Sequence, residues 1–161
     1  MAAFEYSFPD ISGIQAKQQF FVSMCPLRLI PKIFLFDEEE LVLTPELRAQ
    51  RVLNTSRIPA MARYIIDNPE KYIFSALTAS VSDEIEFDPI MDIDDGQRVG
   101  VLRISMDAVI VINDGQHRRA AIEKALLAKP DELGQESIGI VFFIDHGLKR
   151  SQQMFSDLNR H

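Results

Sequence analysis

Short β-branched runs alternate with helix-forming stretches along this chain, most clearly in its second half. Ala108-Val109-Ile110-Val111-Ile112 is a continuous apolar, β-branched run, the mark of a buried strand. Asn113-Asp114-Gly115 has turn chemistry, and the stretch from Gln116 to Ala128 is rich in helix formers. Ala121, Ile122, Ala125 and Leu126 make the apolar stripe of that helix, and Lys129-Pro130 closes it. A second buried strand is predicted over 138–144, a turn at Asp145-His146-Gly147, and a final helix from Leu148 to Asn159.

The first half is less regular. Residues 1–19 are weakly patterned and read as a loose arm or a lead-in strand. Phe20 to Phe36 is apolar, broken by Pro26 and Pro31, and predicts one or two short strands. Thr44-Pro45-Glu46 is a helix start, with Thr as N-cap and Pro at the first helical position, for a helix running to about Leu53. A further helix follows Pro59, with Met61, Ala62, Ile65 and Ile66 at helical spacing, and ends at Asp67-Asn68-Pro69. Tyr72 to Val81 is a strand candidate, 83–95 an exposed loop, and Val99 to Ile104 another strand. Strands alternating with helices predict an α/β (α+β) fold.

Composition narrows the class. The 161 residues suit one domain, and 47% hydrophobic content supports a packed core. No apolar run approaches the roughly 20 residues that cross a membrane, and the start lacks a signal peptide's basic and apolar regions. The single cysteine, Cys25, can form no internal disulfide and fits a reducing compartment, so a cytoplasmic place is expected. Cys25 before Pro26 reads first as a small buried hydrophobe and second as a sensing thiol. The net charge of −7 argues at face value against nucleic acid. Yet Asp83, Glu84, Glu86, Asp88, Asp92, Asp94 and Asp95 fall in one stretch without Lys or Arg, and removing them leaves the rest formally neutral.

The strand–turn–helix unit carries the chemistry. The first N–H groups of a helix have no intrahelical partner, and the helix dipole favours negative charge there. Gly115 lets a ligand approach the backbone, Arg118 can grip a phosphate bidentately, His117 can donate a hydrogen bond or a proton, and Asp114 can position a water or a metal ion. A plainer reading stands beside this one: Asp114 caps the helix, His117 packs beside Ala121, and the arginines are solvated.

Asp114-Gly115-Gln116-His117-Arg118, followed by Arg119-Ala120-Ala121-Ile122, resembles the signature of the DGQHR-domain family, which includes a protein of DNA sulfur modification. The resemblance extends to Arg57-Ile58-Pro59, to 72–81 and to Phe155-Ser156-Asp157-Leu158-Asn159, and so spans roughly 20–161. It implies a ParB/sulfiredoxin-like mixed sheet with flanking helices. It implies that Gly115, Gln116, His117 and Arg118 hold phosphate, with Asp157 and Asn159 reaching the same pocket from the last helix. Gln116 stands where sulfiredoxin has a cysteine, so no thiol mechanism is expected. The resemblance further implies a single domain forming the N-terminal part of a longer protein.

Other motifs are weaker. Asp95-Gly96-Gln97-Arg98 repeats part of the signature but lacks the His and leads to no helix, so it reads as a turn. His146 and His161 have no metal-site spacing, a Walker A string is absent, and the acidic stretch lacks the EF-hand pattern. Arg48, Arg51, Arg57 and Arg63, with Lys149, Arg150 and Arg160, are diffuse phosphate-contact candidates; Arg57 and Arg119 are the DNA contacts singled out.

By resemblance, the first expectation is a regulator that binds the promoter DNA of modification genes, with nucleotide as a modulator. The second is a hydrolase acting on ATP or GTP with Mg2+, in which Asp114 orients water or metal, His117 is the acid/base and Arg118 stabilises phosphoryl charge. A ParB-like nuclease ranks third. No membrane partner is expected, and a homo-oligomer is compatible with each of these readings.

Overall fold

The structure is a computed structural model that describes residues 4–34, 55–83, 85–94 and 96–160. The helix expected from Thr44 lies outside the described residues. Among them, seven strands form one mixed sheet flanked by helices. No helix among them is long and apolar enough to cross a membrane.

The lead-in is a strand, β1 (Glu5–Gln15), paired antiparallel with β2 (Gln18–Pro26). Ala16 and Lys17 turn the chain with φ of 52° and 63°, the pair of positive values that matches the twist of a tight hairpin. Beyond Pro26 the apolar run does not continue as a strand. Pro31 sits in the first turn of a short helix, α1 (Ile30–Ile33), where its missing N–H costs nothing. The helix expected after Pro59 is α2 (Ile58–Asp67), which buries Ala62 and Ile65.

Of the 72–81 candidate, only β3 (Leu77–Val81) joins the sheet. The largest departure is in the acidic stretch. Residues expected as a solvated loop form β4 (Glu86–Asp94), an edge strand antiparallel to β5 (Gln97–Ser105). The reason is cross-strand charge. The Arg103 guanidinium meets Glu86, Asp88 at 2.7 Å and Glu5 at 3.3 Å, and Arg98 meets Asp92 at 3.0 Å. Phe87 faces inward between those acids, its ring 5.7 Å from that of Phe21. Of the Asp-Gly-Gln-Arg repeat, Gly96 turns the chain between the two strands at φ 78°, and Gln97 and Arg98 already belong to β5.

β6 (Ile110–Asp114) starts two residues later than the expected strand and takes in Asn113 and Asp114 of the predicted turn, whereas α3 (Gln116–Ala128) and β7 (Ser137–Ile144) form as read. A short α4 (Pro130–Leu133) precedes β7, and α5 (Ser151–Arg160) comes last. The sheet order is β4-β5-β1-β2-β7-β3-β6; β3 and β7 run parallel and all other neighbours antiparallel.

The two faces are covered differently. Phe8, Phe21, Leu77, Leu102, Ile112 and Phe142 form the inner face, closed by Ala121, Ile122 and Ala125 of α3 and by α2, which packs on α3. Ser80 alternates with the inward Ala79 and Val81, so it points to the other face. There its hydroxyl lies 2.7 Å from Asn113 Oδ1 and 3.1 Å from Met154 Sδ, which puts α5 on the outer face.

Candidate functional site

β6 buries Ile110, Val111, Ile112 and Asn113 and delivers the chain to the sheet's end at Asp114. Gly115 caps α3 in the left-handed region, at φ 108° and ψ 22°. A Cβ there would stand 2.6 Å from Leu77 Cδ2 and 2.9 Å from Arg118 Nη2, so conformation and space both require glycine. No side chain of the cap residue covers the first turn of α3, because that residue is Gly115 itself.

Arg118 folds back over the glycine. Its Nη2 donates to the Ala76 carbonyl at 2.9 Å and lies 3.7 Å from Asp114 Oδ2. Its Nε is buried with no acceptor among the described residues. The guanidinium therefore ties the helix start to the segment entering β3, and Asp114 supplies a countercharge. Arg119 turns along the helix, donating to Gln116 Oε1 at 2.9 Å and to Glu123 at 2.6 Å. Gln116 and Arg119 thus hold each other in the first turn, and His117, between Gln116 and Arg118 in sequence, is half-buried. Asp114, Gly115, Gln116, His117 and Arg118 are together at one helix end, the juxtaposition that the signature implies.

Asp157 is placed elsewhere. It lies on α5, accepts from Gln153 Nε2 at 2.7 Å, and lines a groove with Gln15, Gln18, Phe143, Arg150 and Met154. That groove is on the outer face, whereas α3 covers the inner one, so the sheet separates Asp157 from the α3 helix body. Asn159 belongs to the same helix; its side chain lies outside the described residues. Arg57, in the turn before α2, is exposed, as is Arg63.

One turn beyond Arg118, Ile122 lines a cavity of about 290 Å³ with Tyr72, Ile73, Phe74, Leu27 and Ile138. Tyr72 donates from its hydroxyl to Glu136, and Phe74 stacks on Tyr64 with ring centres 6.0 Å apart. The segment 72–76 is aromatic because it walls this cavity, not because it extends the sheet.

Two features escaped the sequence reading. Asp10 is buried on the inner face of β1, bonded by the Ser23 hydroxyl; its Oδ1 and the Ser12 hydroxyl have no partner among the described residues. Burial pushes its carboxyl up to about 7, against the weaker lowering by Ser23. The signal was the alternation Phe8, Asp10, Ser12, legible only once β1 is known to be a strand. Asp145 is the second. Its carboxylate accepts the Arg150 N–H at 2.8 and 3.1 Å and so holds the approach to α5.

Cys25 is fully buried, and burial pushes its thiol up to about 12, so at neutral pH it is a packed thiol and not a thiolate. Among the described residues no three His, Cys, Asp or Glu side chains gather as a metal site.

A family model described as DndB, DNA-sulfur modification-associated, matches residues 8–161, which include the whole described sheet from the middle of β1 onward. No curated protein and no solved structure matches the chain.

Proposed function

The chain belongs to the DndB family of DNA-sulfur modification-associated proteins, and on that premise we propose that it is a regulatory DNA-binding protein of a bacterial DNA phosphorothioate modification system. In this reading it controls transcription of the modification genes, and the first turn of α3 is its phosphate site. Involvement in DNA sulfur modification follows from the family; the regulatory role and the phosphate site are the proposal.

The observation that carries it is the start of α3. Gly115 leaves the helix dipole and the first N–H groups without a covering cap side chain, on a rigid strand–glycine–helix unit. This unit is also what supports a ParB-like relationship. A phosphate there, of the DNA backbone or of ATP or GTP with Mg2+, would meet backbone N–H groups and the His117 side chain. The aromatic cavity beside Ile122 would give a nucleotide's base an apolar wall. Asp157 and Asn159 would act from the far side of the sheet, on the path of a longer ligand rather than on this phosphate.

Binding is favoured over hydrolysis. The hydrolytic reading needs Asp114, His117 and Arg118 all turned on substrate, yet Arg118 is engaged by the Ala76 carbonyl and faces Asp114. The arginines Arg57 and Arg119 enter as backbone contacts, with Arg119 first having to leave Glu123.

The test is fluorescence anisotropy with a labelled duplex carrying the modification-gene promoter and a scrambled duplex of equal length. The promoter is expected to bind at least about 100-fold tighter at physiological salt. His117→Ala is expected to weaken binding of ATP or of DNA about tenfold while leaving the fold intact. Equal affinity for the two duplexes overturns the regulatory reading. Phosphate release from ATP or GTP that disappears in His117→Ala overturns it in favour of the hydrolase.

A further inference from the structure

β3 and β7 run parallel, and their pairing begins at Leu77 and Ile140. Carried upstream in the same register, 74–76 would lie against 137–139. The backbone there is taken by side chains instead. The Tyr64 hydroxyl accepts the Ile73 N–H at 2.8 Å, and Arg118 Nη2 donates to the Ala76 carbonyl at 2.9 Å. The ladder forks, and the cavity of about 290 Å³ lies in the fork, with Tyr72, Ile73 and Phe74 on one arm and Ser137 and Ile138 on the other. Tyr64 stacks on Phe74, and Tyr72 meets Phe74 edge-on with ring centres 6.1 Å apart, so the aromatic arm is fixed. A mostly apolar slot with a few placed polar groups is the usual form of a small-molecule site.

The polar groups of this slot are two hydroxyls, those of Tyr72 and Ser137. Tyr72 gives its proton to Glu136, which leaves its oxygen as an acceptor. Burial, and then Glu136, keeps that hydroxyl protonated well above the ordinary tyrosine range. Ser137 is exposed at the mouth and can donate. One acceptor with one donor complements adenine, whose edge offers the N6 amine and the N1 lone pair. Guanine offers two adjacent donors, N1–H and the N2 amine, and calls for a carboxylate. Among the described residues no carboxylate lines the cavity, and Glu136, next to Ser137, is engaged by Tyr72. Guanine would therefore leave buried donors unpaired, the costly case.

We propose that this fork selects adenine, so that the nucleotide held at the first turn of α3 is ATP and not GTP, with Tyr72 and Ser137 as the residues that set the choice. The inference rests on the phosphate site proposed above. Ile122, on the floor of the cavity, lies four residues after Arg118 and so on the same face of α3. It lies six residues after Gln116, about 9 Å along the helix axis. A ribose bridges that gap, with the base in the fork and the phosphates toward Gly115.

Calorimetric titration of the whole chain with ATP and GTP, each with Mg2+, and with tripolyphosphate as competitor decides it. ATP is expected to bind at least about tenfold tighter than GTP. Ser137→Ala, at an exposed position, is expected to weaken ATP about threefold and leave GTP and the melting curve unchanged. Tyr72→Phe removes the acceptor and frees the Glu136 carboxylate, so ATP weakens, GTP strengthens and the preference falls to about one or reverses. Tripolyphosphate is expected to bind all three proteins alike. Equal affinity for ATP and GTP, binding of neither, or an ATP preference that survives both variants overturns the proposal. Equal affinity with tripolyphosphate still competing leaves the phosphate site standing. An ATP preference that both variants abolish, with no competition from tripolyphosphate, supports the adenine fork and counts against the phosphate site.

Discussion

The string Asp-Gly-Gln occurs twice, at 95–97 and 114–116, and the two copies do opposite things. Both glycines take positive φ, 78° at Gly96 and 108° at Gly115. After Gly96 the chain returns as a strand; after Gly115 it coils into α3. The downstream residues differ: Gly96 leads to the β-branched alternation of 97–105, and Gly115 to a run of Ala, Lys, Glu and Leu. The contacts of the two glycines differ too. Gly96 lies under Ile14, an exposed side chain, and Gly115 under buried Leu77 and the anchored Arg118. A tripeptide sets a turn; its surroundings decide whether that turn is a bend in an edge hairpin or the mouth of a site.

Three experiments sharpen this contrast between the hairpin half and the helix half. The largest effect is pH-dependent and belongs to the hairpin half, where Asp10 pairs in register with Gly100 of β5. Its carboxyl is raised from 3.8 to about 7, so between those values the folded state keeps a proton that the unfolded state releases. Stability therefore falls as pH rises across this window and is flat for this group above and below it. The full fall is about 4 kcal/mol at 1.36 kcal/mol per unit. Urea titrations at pH 4.5 and 7.5 should show about 3 kcal/mol of it, and Asp10→Asn should remove it. A slope unchanged in Asp10→Asn would refute the assignment.

The second experiment compares the glycines. Gly115→Ala is expected to cost about 3 kcal/mol, from left-handed backbone strain plus a clash with packed Leu77. Gly96→Ala is expected to cost about 1 kcal/mol, since Ile14 Cδ1 is the free end of an exposed side chain. Equal losses of thermal stability would erase the distinction. The third compares arginines. Arg118→Ala removes the bond to the Ala76 carbonyl and should cost about 1–2 kcal/mol. Arg98→Ala removes an exposed pair with Asp92 and should cost under about 0.5 kcal/mol.

The helix half was the legible half. The β-branched run into Asp114, the glycine and the helix formers after it are contiguous, so local pattern sufficed for β6 and α3. The hairpin half was not, because β4 is held by cross-strand partners that a local pattern does not show, arginines of the next strand and Phe21 far back in the chain. Its carboxylates read as a solvated loop until Arg98 and Arg103 stand across from them, with Phe87 turned in toward Phe21. Pro31 similarly turned an expected strand into a helical turn. At the candidate site, the grouping from Asp114 to Arg118 was legible. The use of Arg118 on the Ala76 carbonyl was not, since nothing local connects position 118 to 76. Nor could spacing show that Asp157 faces the opposite side of the sheet.

β7 lies inside the sheet, between β2 and β3, yet it is the last of the described strands in sequence. During synthesis the hairpins β1–β2 and β4–β5 have their partners early, and β3 has β6. These two groups share no strand until Ser137–Ile144 leaves the ribosome and joins them. The joining contacts span more than a hundred residues from β2 and about sixty from β3, so their loop closures set the pace of assembly. A nascent chain stopped before Ser137 would hold two unjoined sheets, each with an open edge at the place where β7 belongs, and would depend on chaperones until β7 arrives.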